Sequence, residues 1–217
     1  MVGRVAIVGT GLIGASVGLA AARGGAAVAG WDPDAAALAA AVERGAVAGA
    51  GSLEEALDGA ELAVVAVPIA ALPAEVAAVL AATGEQTTVT DVGSTKASVV
   101  AAAAGSPRFV GGHPIAGLES RGAEHASAGI FEGATWFLTT TAQTDPGRYR
   151  AVHGFVSSLG PAPRKPATER TRRLGVVGLT DQPGSLAKLG AGFLDSHRRD
   201  TPRFGHRAGW FSPSRRL

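Results

Sequence analysis

The chain has 217 residues with 20 Lys+Arg, 18 Asp+Glu and a formal net charge of +2, enough for one sizeable domain and part of another. Cysteine is absent, which excludes disulfides, thiolate metal sites and a cysteine nucleophile and fits a reducing compartment. The near-neutral total hides a division, because residues 1–163 carry 8 Lys+Arg against 14 Asp+Glu whereas residues 164–217 carry 12 against 4.

Met1 leads almost directly into an apolar strand, Arg4 to Val8, with no basic-then-apolar leader and no opening run of membrane-spanning length. The expectation is a soluble, cytoplasmic protein away from membranes. Next comes Gly9-Thr10-Gly11-Leu12-Ile13-Gly14 and a helix from Ala15 to Arg23, followed by a second apolar run, Ala26 to Trp31, that ends on Asp32. Each part suits a dinucleotide. Gly9 permits a tight turn, Gly11 admits a pyrophosphate close to the backbone, and Gly14 lets helix and strand pack closely. Free N–H groups at the helix start, around Leu12 and Ile13, face the phosphates. Asp32 lies 18 residues past Gly14, where a carboxylate takes both ribose hydroxyls. The plainer alternative is a glycine-rich α/β turn without a ligand. A carboxylate at Asp32 repels a 2′-phosphate and Pro33-Asp34 offers no compensating cation, so the reading is NAD, with NADP less favoured.

The pattern continues with a helix from Ala35 to Arg44 and a short helix opened by the capping box Ser52-Leu53-Glu54-Glu55. A buried strand follows over 61–67, stopped at Pro68, then a helix from Pro73 to Ala82. Strands are predicted over 87–92, 108–111 and 135–140, with helices over 97–104 and 146–159. Alternating strands and helices define an α/β fold, a Rossmann-type, doubly wound, mostly parallel sheet. Ligands of such sheets lie beyond the carboxyl ends of the strands. That rim gathers Gly9–Gly14, Asp32, Val67-Pro68, Asp91–Lys96 and Gly111–Gly117.

Two loops on this rim carry chemistry. Asp91-Val92-Gly93-Ser94-Thr95-Lys96 opens a helix, and Gly111-Gly112-His113-Pro114 leads into Ile115-Ala116-Gly117-Leu118-Glu119-Ser120-Arg121-Gly122. A lone histidine after a strand is as often structural as catalytic. On this rim His113 is suited to accept a proton from a substrate hydroxyl while a hydride leaves the same carbon, with Ser94 orienting the imidazole or the hydroxyl. Arg121 suits a dicarboxylate but reads more simply as a solvated side chain, and Asp91 and Lys96 read equally as braces or ligand contacts. His125 and His153 read as surface residues, Trp136 and Phe137 as sheet core.

GTGLIGAS, DVGSTK, GGHPIAGLESRG and FEGATWFLT, in this order and spacing over residues 3–162, resemble the prephenate dehydrogenase family. The resemblance implies NAD-dependent oxidative decarboxylation of prephenate, or of its amino analogue arogenate, to 4-hydroxyphenylpyruvate or tyrosine. It implies that His113 draws the hydroxyl proton, that Ser94 is its partner, and that Glu119 lines or gates the pocket. It also implies a homodimer built by a C-terminal helical domain that clamps the substrate.

Nothing after Leu159 reads as that domain, so the expectation for this chain is an impaired activity. The expected division is a dinucleotide-binding domain over 1–163, then 164–217 as a linker, a partial element and an irregular basic tail, either disordered or produced by an altered reading frame. Residues 174–189 resemble the first strand and helix start of an ACT-type module, with Asp181, Pro183 and Gly184 at its turn, and 192–196 resemble a substrate-domain segment. The basic tail lacks the basic–aromatic spacing of nucleic-acid readers, which disfavours that partner. The alternatives to a dehydrogenase of this family are a catalytically silent NAD-binding fragment and another small-acid dehydrogenase.

Overall fold

A computed structural model of the chain describes residues 2–116 and 122–160. In chain order the elements are β1 (Arg4–Val8), α1 (Leu12–Arg23), β2 (Ala27–Trp31), α2 (Ala35–Glu43), β3 (Ala48–Gly49), α3 (Leu53–Leu57) and β4 (Leu62–Val65). They continue with α4 (Leu72–Ala82), β5 (Thr88–Asp91), α5 (Ala97–Ala102), β6 (Phe109–Ile115), β7 (Thr135–Thr139) and α6 (Pro146–Leu159). Two 3-10 turns, Ala123–His125 and Ala128–Phe131, fall between β6 and β7.

One seven-stranded sheet runs in the order β3-β2-β1-β4-β5-β6-β7. Every pairing is parallel except β6 with β7. Strands buried on both faces need continuous apolar sequence, and the inner strands β1 and β4 supply it. Alternation along β1 then splits the core in two. Val5 and Ile7 pack with α1 and α6 through Ala15, Val17, Val152 and Phe155. Ala6 and Val8 pack on the other face with Leu57, Leu72, Val76 and Val99. This two-sided cover is the doubly wound arrangement that the apolar pattern predicts.

Local chemistry sets the helix boundaries. The Asp34 side chain accepts from Ala36 and Ala37 N–H to start α2. Ser52 Oγ accepts from Glu55 N–H, while the Glu55 carboxylate reaches back to Gly51 rather than to Ser52 itself. Asp145 caps α6 through Arg148 N–H.

Three features depart from the sequence reading. The two-residue β3 has no apolar signature. The strand predicted over 108–111 runs instead through Ile115, so His113 lies within a strand and not in a loop. Finally, β7 closes on that extension as an antiparallel hairpin partner, with His113 opposite Phe137. Glycines and a proline disguise the extension. Its ladder with β5 ends at Thr90–Val110, so past that point β6 is paired on one side. Gly112 N–H points to the β5 side, and the Pro114 nitrogen two residues on faces the same open side, where a missing donor breaks no ladder bond.

The segment after β6 crosses back over α1. Ser127 N–H donates to the buried Ser16 Oγ at 3.1 Å, and Arg44 reaches Ala126 O at 2.6 Å. Residues 161–217, with the linker, the ACT-like stretch over 174–189 and the basic tail, lie outside the described residues.

Close packing of α1 on β1 yields the first prediction. A Cβ at Gly14 would sit 1.9 Å from Gly9 O, so Gly14→Ala must push helix and turn apart. Urea unfolding should show a loss of about 1–3 kcal/mol, the usual cost of overpacking.

Candidate active site

The glycine turn after β1 is shaped by two close approaches. Gly9 has φ +91°, and a Cβ there would meet Ala66 carbonyl atoms at 2.8 Å, so turn and β4 end lie in contact. Gly11 is different: nothing lies within 4 Å of the position its Cβ would occupy. That open space fronts the start of α1, whose first helical bond is Ala15 N–H to Gly11 O at 2.8 Å. The N–H groups of Leu12 and Ile13 therefore have no partner within the helix. A phosphate fits this cradle, because it needs backbone donors and tolerates no side chain between.

Asp32 directly follows β2 and joins it to the turn. Its Oδ2 accepts from Thr10 N–H at 2.7 Å and from the Thr10 hydroxyl at 3.3 Å, while Oδ1 accepts from Asp34 N–H at 2.9 Å. Each carboxylate oxygen offers about two acceptor positions, so these three bonds leave about one, on Oδ1 of the half-buried group, for a ribose hydroxyl. Val67, half-buried, and Pro68, exposed, follow β4 on the same rim.

The rim's other end is built around Asp91, which is fully buried. Its Oδ2 accepts from Gly93 N–H at 2.9 Å and pairs with Lys96 Nζ, while its Oδ1 accepts from Gly112 N–H at 3.1 Å. The Lys96 side chain is itself only 8% exposed. Burial holds the Lys96 ammonium below its ordinary pKa, and the Asp91 charge opposes that shift. The sequence left Asp91 and Lys96 between brace and ligand contact; the structure makes them a buried pair. The available signal was a carboxylate ending a buried strand, with a lysine five residues on.

His113, half-buried on the β6 extension, stands beside this pair. Its pKa is pushed below the ordinary value by burial first and by the Lys96 charge second, with Asp91 pulling the other way. The neutral imidazole thus prevails at neutral pH, the form that can take a proton. The Phe137 ring lies 6.3 Å from the imidazole, centroid to centroid, at 42°. Phe137, read from sequence as core, instead walls the histidine, while Trp136 on the opposite face is 3% exposed.

Ser94 is exposed, and among the described residues no hydrogen bond joins it to His113. Glu119 and Arg121 lie outside the described residues. His125 is exposed on a 3-10 turn, and His153 is half-buried on α6 beside Tyr149. No group of three or more metal-ligating side chains occurs among the described residues, and no described helix is long and apolar enough to cross a membrane.

A two-sided parallel sheet with a glycine cradle, a strand-end carboxylate and a row of polar groups on one rim defines a Rossmann-type nucleotide-binding domain. Residues 17–162 match the family model described as prephenate dehydrogenase, nucleotide-binding domain, and the chain belongs to that family. It is 34% identical over 166 residues to "Probable prephenate dehydrogenase NovF" of Streptomyces niveus, covering 72% of this chain and 43% of that protein. The crystal structure of prephenate dehydrogenase from Aquifex aeolicus in complex with hydroxyphenyl propionate and NAD+ superposes with TM-score 0.69 at 30% identity, over 74% of this chain and 58% of that one. Synechocystis arogenate dehydrogenase superposes with TM-score 0.65 at 28% identity, over 74% and 60%. The chain thus spans less than two thirds of each of these proteins.

The charges around His113 give the second prediction. In an NMR titration its midpoint falls below about 6.5, and Lys96→Met raises it, because the nearest cation is gone while Asp91 stays. An unchanged or lowered midpoint in the variant would remove Lys96 from the site.

Proposed function

We propose that this chain forms the dinucleotide-binding part of an NAD-dependent dehydrogenase acting on prephenate or arogenate, a step of tyrosine biosynthesis. The observation that carries this reading is a neutral, half-buried imidazole on the same strand-end rim as an open glycine cradle. Family membership and the solved relative in complex with NAD+ support the same cofactor.

Gly9 to Gly14 hold the pyrophosphate through the first backbone N–H groups of α1, and Asp32 holds the adenosine ribose and repels a 2′-phosphate. Val67 and Pro68 border the cofactor where β4 ends. Bound NAD+ supplies the hydride acceptor. His113 takes the proton of the substrate's ring hydroxyl through its unprotonated nitrogen as the C–O bond becomes a carbonyl. Loss of the ring carboxylate as carbon dioxide then leaves its bonding pair in the ring, which becomes aromatic, and the oxygen recovers the proton held on His113; the same proton acceptor serves prephenate and arogenate. Ser94 orients the hydroxyl from the turn after β5. Glu119 and Arg121 are the proposed substrate-binding residues, with Arg121 drawing a carboxylate. In this reading the enzyme acts in the cytoplasm, and the family's homodimer rests on the C-terminal helical domain.

Two variants test the division of labour. His113→Asn lowers prephenate-dependent NADH formation by about a hundredfold or more, the scale of lost general-base catalysis, while NAD+ affinity stays within about threefold. Gly11→Ala does the reverse: its Cβ fills the cradle and weakens NAD+ binding, and thermal unfolding stays unchanged because no atom lies within 4 Å. Loss of NAD+ binding in His113→Asn would contradict a purely chemical role. Saturable NAD+ binding without turnover at any prephenate concentration would leave the second reading, a dinucleotide-binding chain without activity of its own.

A further inference from the structure

We propose that Asp91 is a positioning residue for His113, fixing the imidazole's place by holding the β6 backbone at Gly112 against the Gly93–Lys96 turn. The proposal rests on the reading of His113 as proton acceptor and adds the group through which the fold aims it.

The argument starts from a gap in the sheet. The β5–β6 ladder ends at Thr90–Val110, yet β6 continues for five residues beyond, through Ile115. On that side the strand has no backbone partner for its next inward-pointing donor, Gly112 N–H. Asp91 supplies the acceptor from its side chain, at 3.1 Å. The two chains come close enough only because residue 112 has no side chain, since a Cβ there would lie 2.3 Å from Asp91 O. His113 is therefore bracketed, by the Asp91 bond at the residue before it and by the β7 ladder opposite Phe137.

The same carboxylate organises the turn that faces the histidine. Gly93 N–H and Lys96 Nζ both reach Oδ2, so the turn carrying Ser94 and the strand carrying His113 share one anchor. Lys96 lies along β6, its Cδ 3.2 Å from where a Gly111 Cβ would be. Among the described residues, the groups facing the imidazole are Lys96 from the start of α5, Asp91 from β5 and the neutral Phe137 from β7. A buried carboxylate costs too much free energy to keep unless its charge is met, and three donors, one of them cationic, occupy three of its roughly four acceptor positions.

The paired variant Asp91→Ala with Lys96→Met tests this, because it removes both charges together and strands neither. The expected result is a folded protein whose NAD+ affinity stays within about threefold, with the Gly112 amide exchanging about tenfold faster or more. NOEs between the His113 and Phe137 rings, 6.3 Å apart centroid to centroid in the intact site, weaken as the imidazole is released, whereas a merely structural pair leaves that contact in place. Unchanged Gly112 exchange and an unchanged His113–Phe137 contact would overturn the proposal. Should the variant fail to fold, the wild-type chain decides: a through-hydrogen-bond coupling between Gly112 nitrogen and the Asp91 carboxyl carbon is expected, and its absence overturns the proposal. None of these readouts uses prephenate turnover. A chain that fails the turnover assay can still pass them, so failure of the redox reading and failure of this one are told apart.

Discussion

A buried carboxylate at the end of β5 constrains the rest of the site, because its charge must be met wherever it sits. Asp91 is met by the ammonium of Lys96 and by two backbone N–H groups, from Gly93 and Gly112. Such pairs add little net stability, since desolvation offsets most of the attraction. Their consequence here is geometric. A carboxylate has fixed acceptor directions, and satisfying them ties the end of one strand, the turn after it and the next strand into one arrangement. His113 and Ser94 are carried on the two pieces so tied.

The dinucleotide end of the rim uses the same device in a wetter setting. Asp32 directly follows a strand and also takes a backbone N–H from its neighbour, Thr10 at 2.7 Å. Asp32 stays half-buried, however, and lacks a cationic partner among the described residues, so acceptor capacity remains for a ligand. In the proposed reading two strand-end aspartates divide the work: the open one receives a ribose hydroxyl, and the sealed one holds the residue proposed to take a proton. Between them the glycine turn lies against the end of β4, where any Cβ at Gly9 would clash. The proposed cofactor path is consequently set by backbone, and the proposed proton acceptor by a side chain whose backbone is pinned.

Much of this was legible in the residues. Continuous apolar runs marked the parallel strands, and the spacing from the glycines to Asp32 marked the binding end, because both follow from local periodicity. The hairpin that carries His113 was not legible. Glycines at 111 and 112 and a proline at 114 read as loop, and only the one-sided pairing past Val110 explains why they serve as strand. Phe137 looked like core since its neighbours are core, yet strand alternation turns it to the histidine's side and Trp136 away. Asp91 showed its residue type but not its role, which depends on Gly112, a residue 21 positions later. Local pattern reports which face a residue occupies; partners that distant emerge only from the folded sheet.

The central claim is that the glycine cradle and His113 act on one ligand laid across the strand ends. Intermolecular NOEs between bound NAD+ and the chain test it most directly. The account predicts contacts from adenosine protons to residues beside Asp32 and from nicotinamide protons to the His113 ring. Saturable NAD+ binding whose nicotinamide protons contact another part of the sheet, with none to His113, would contradict it.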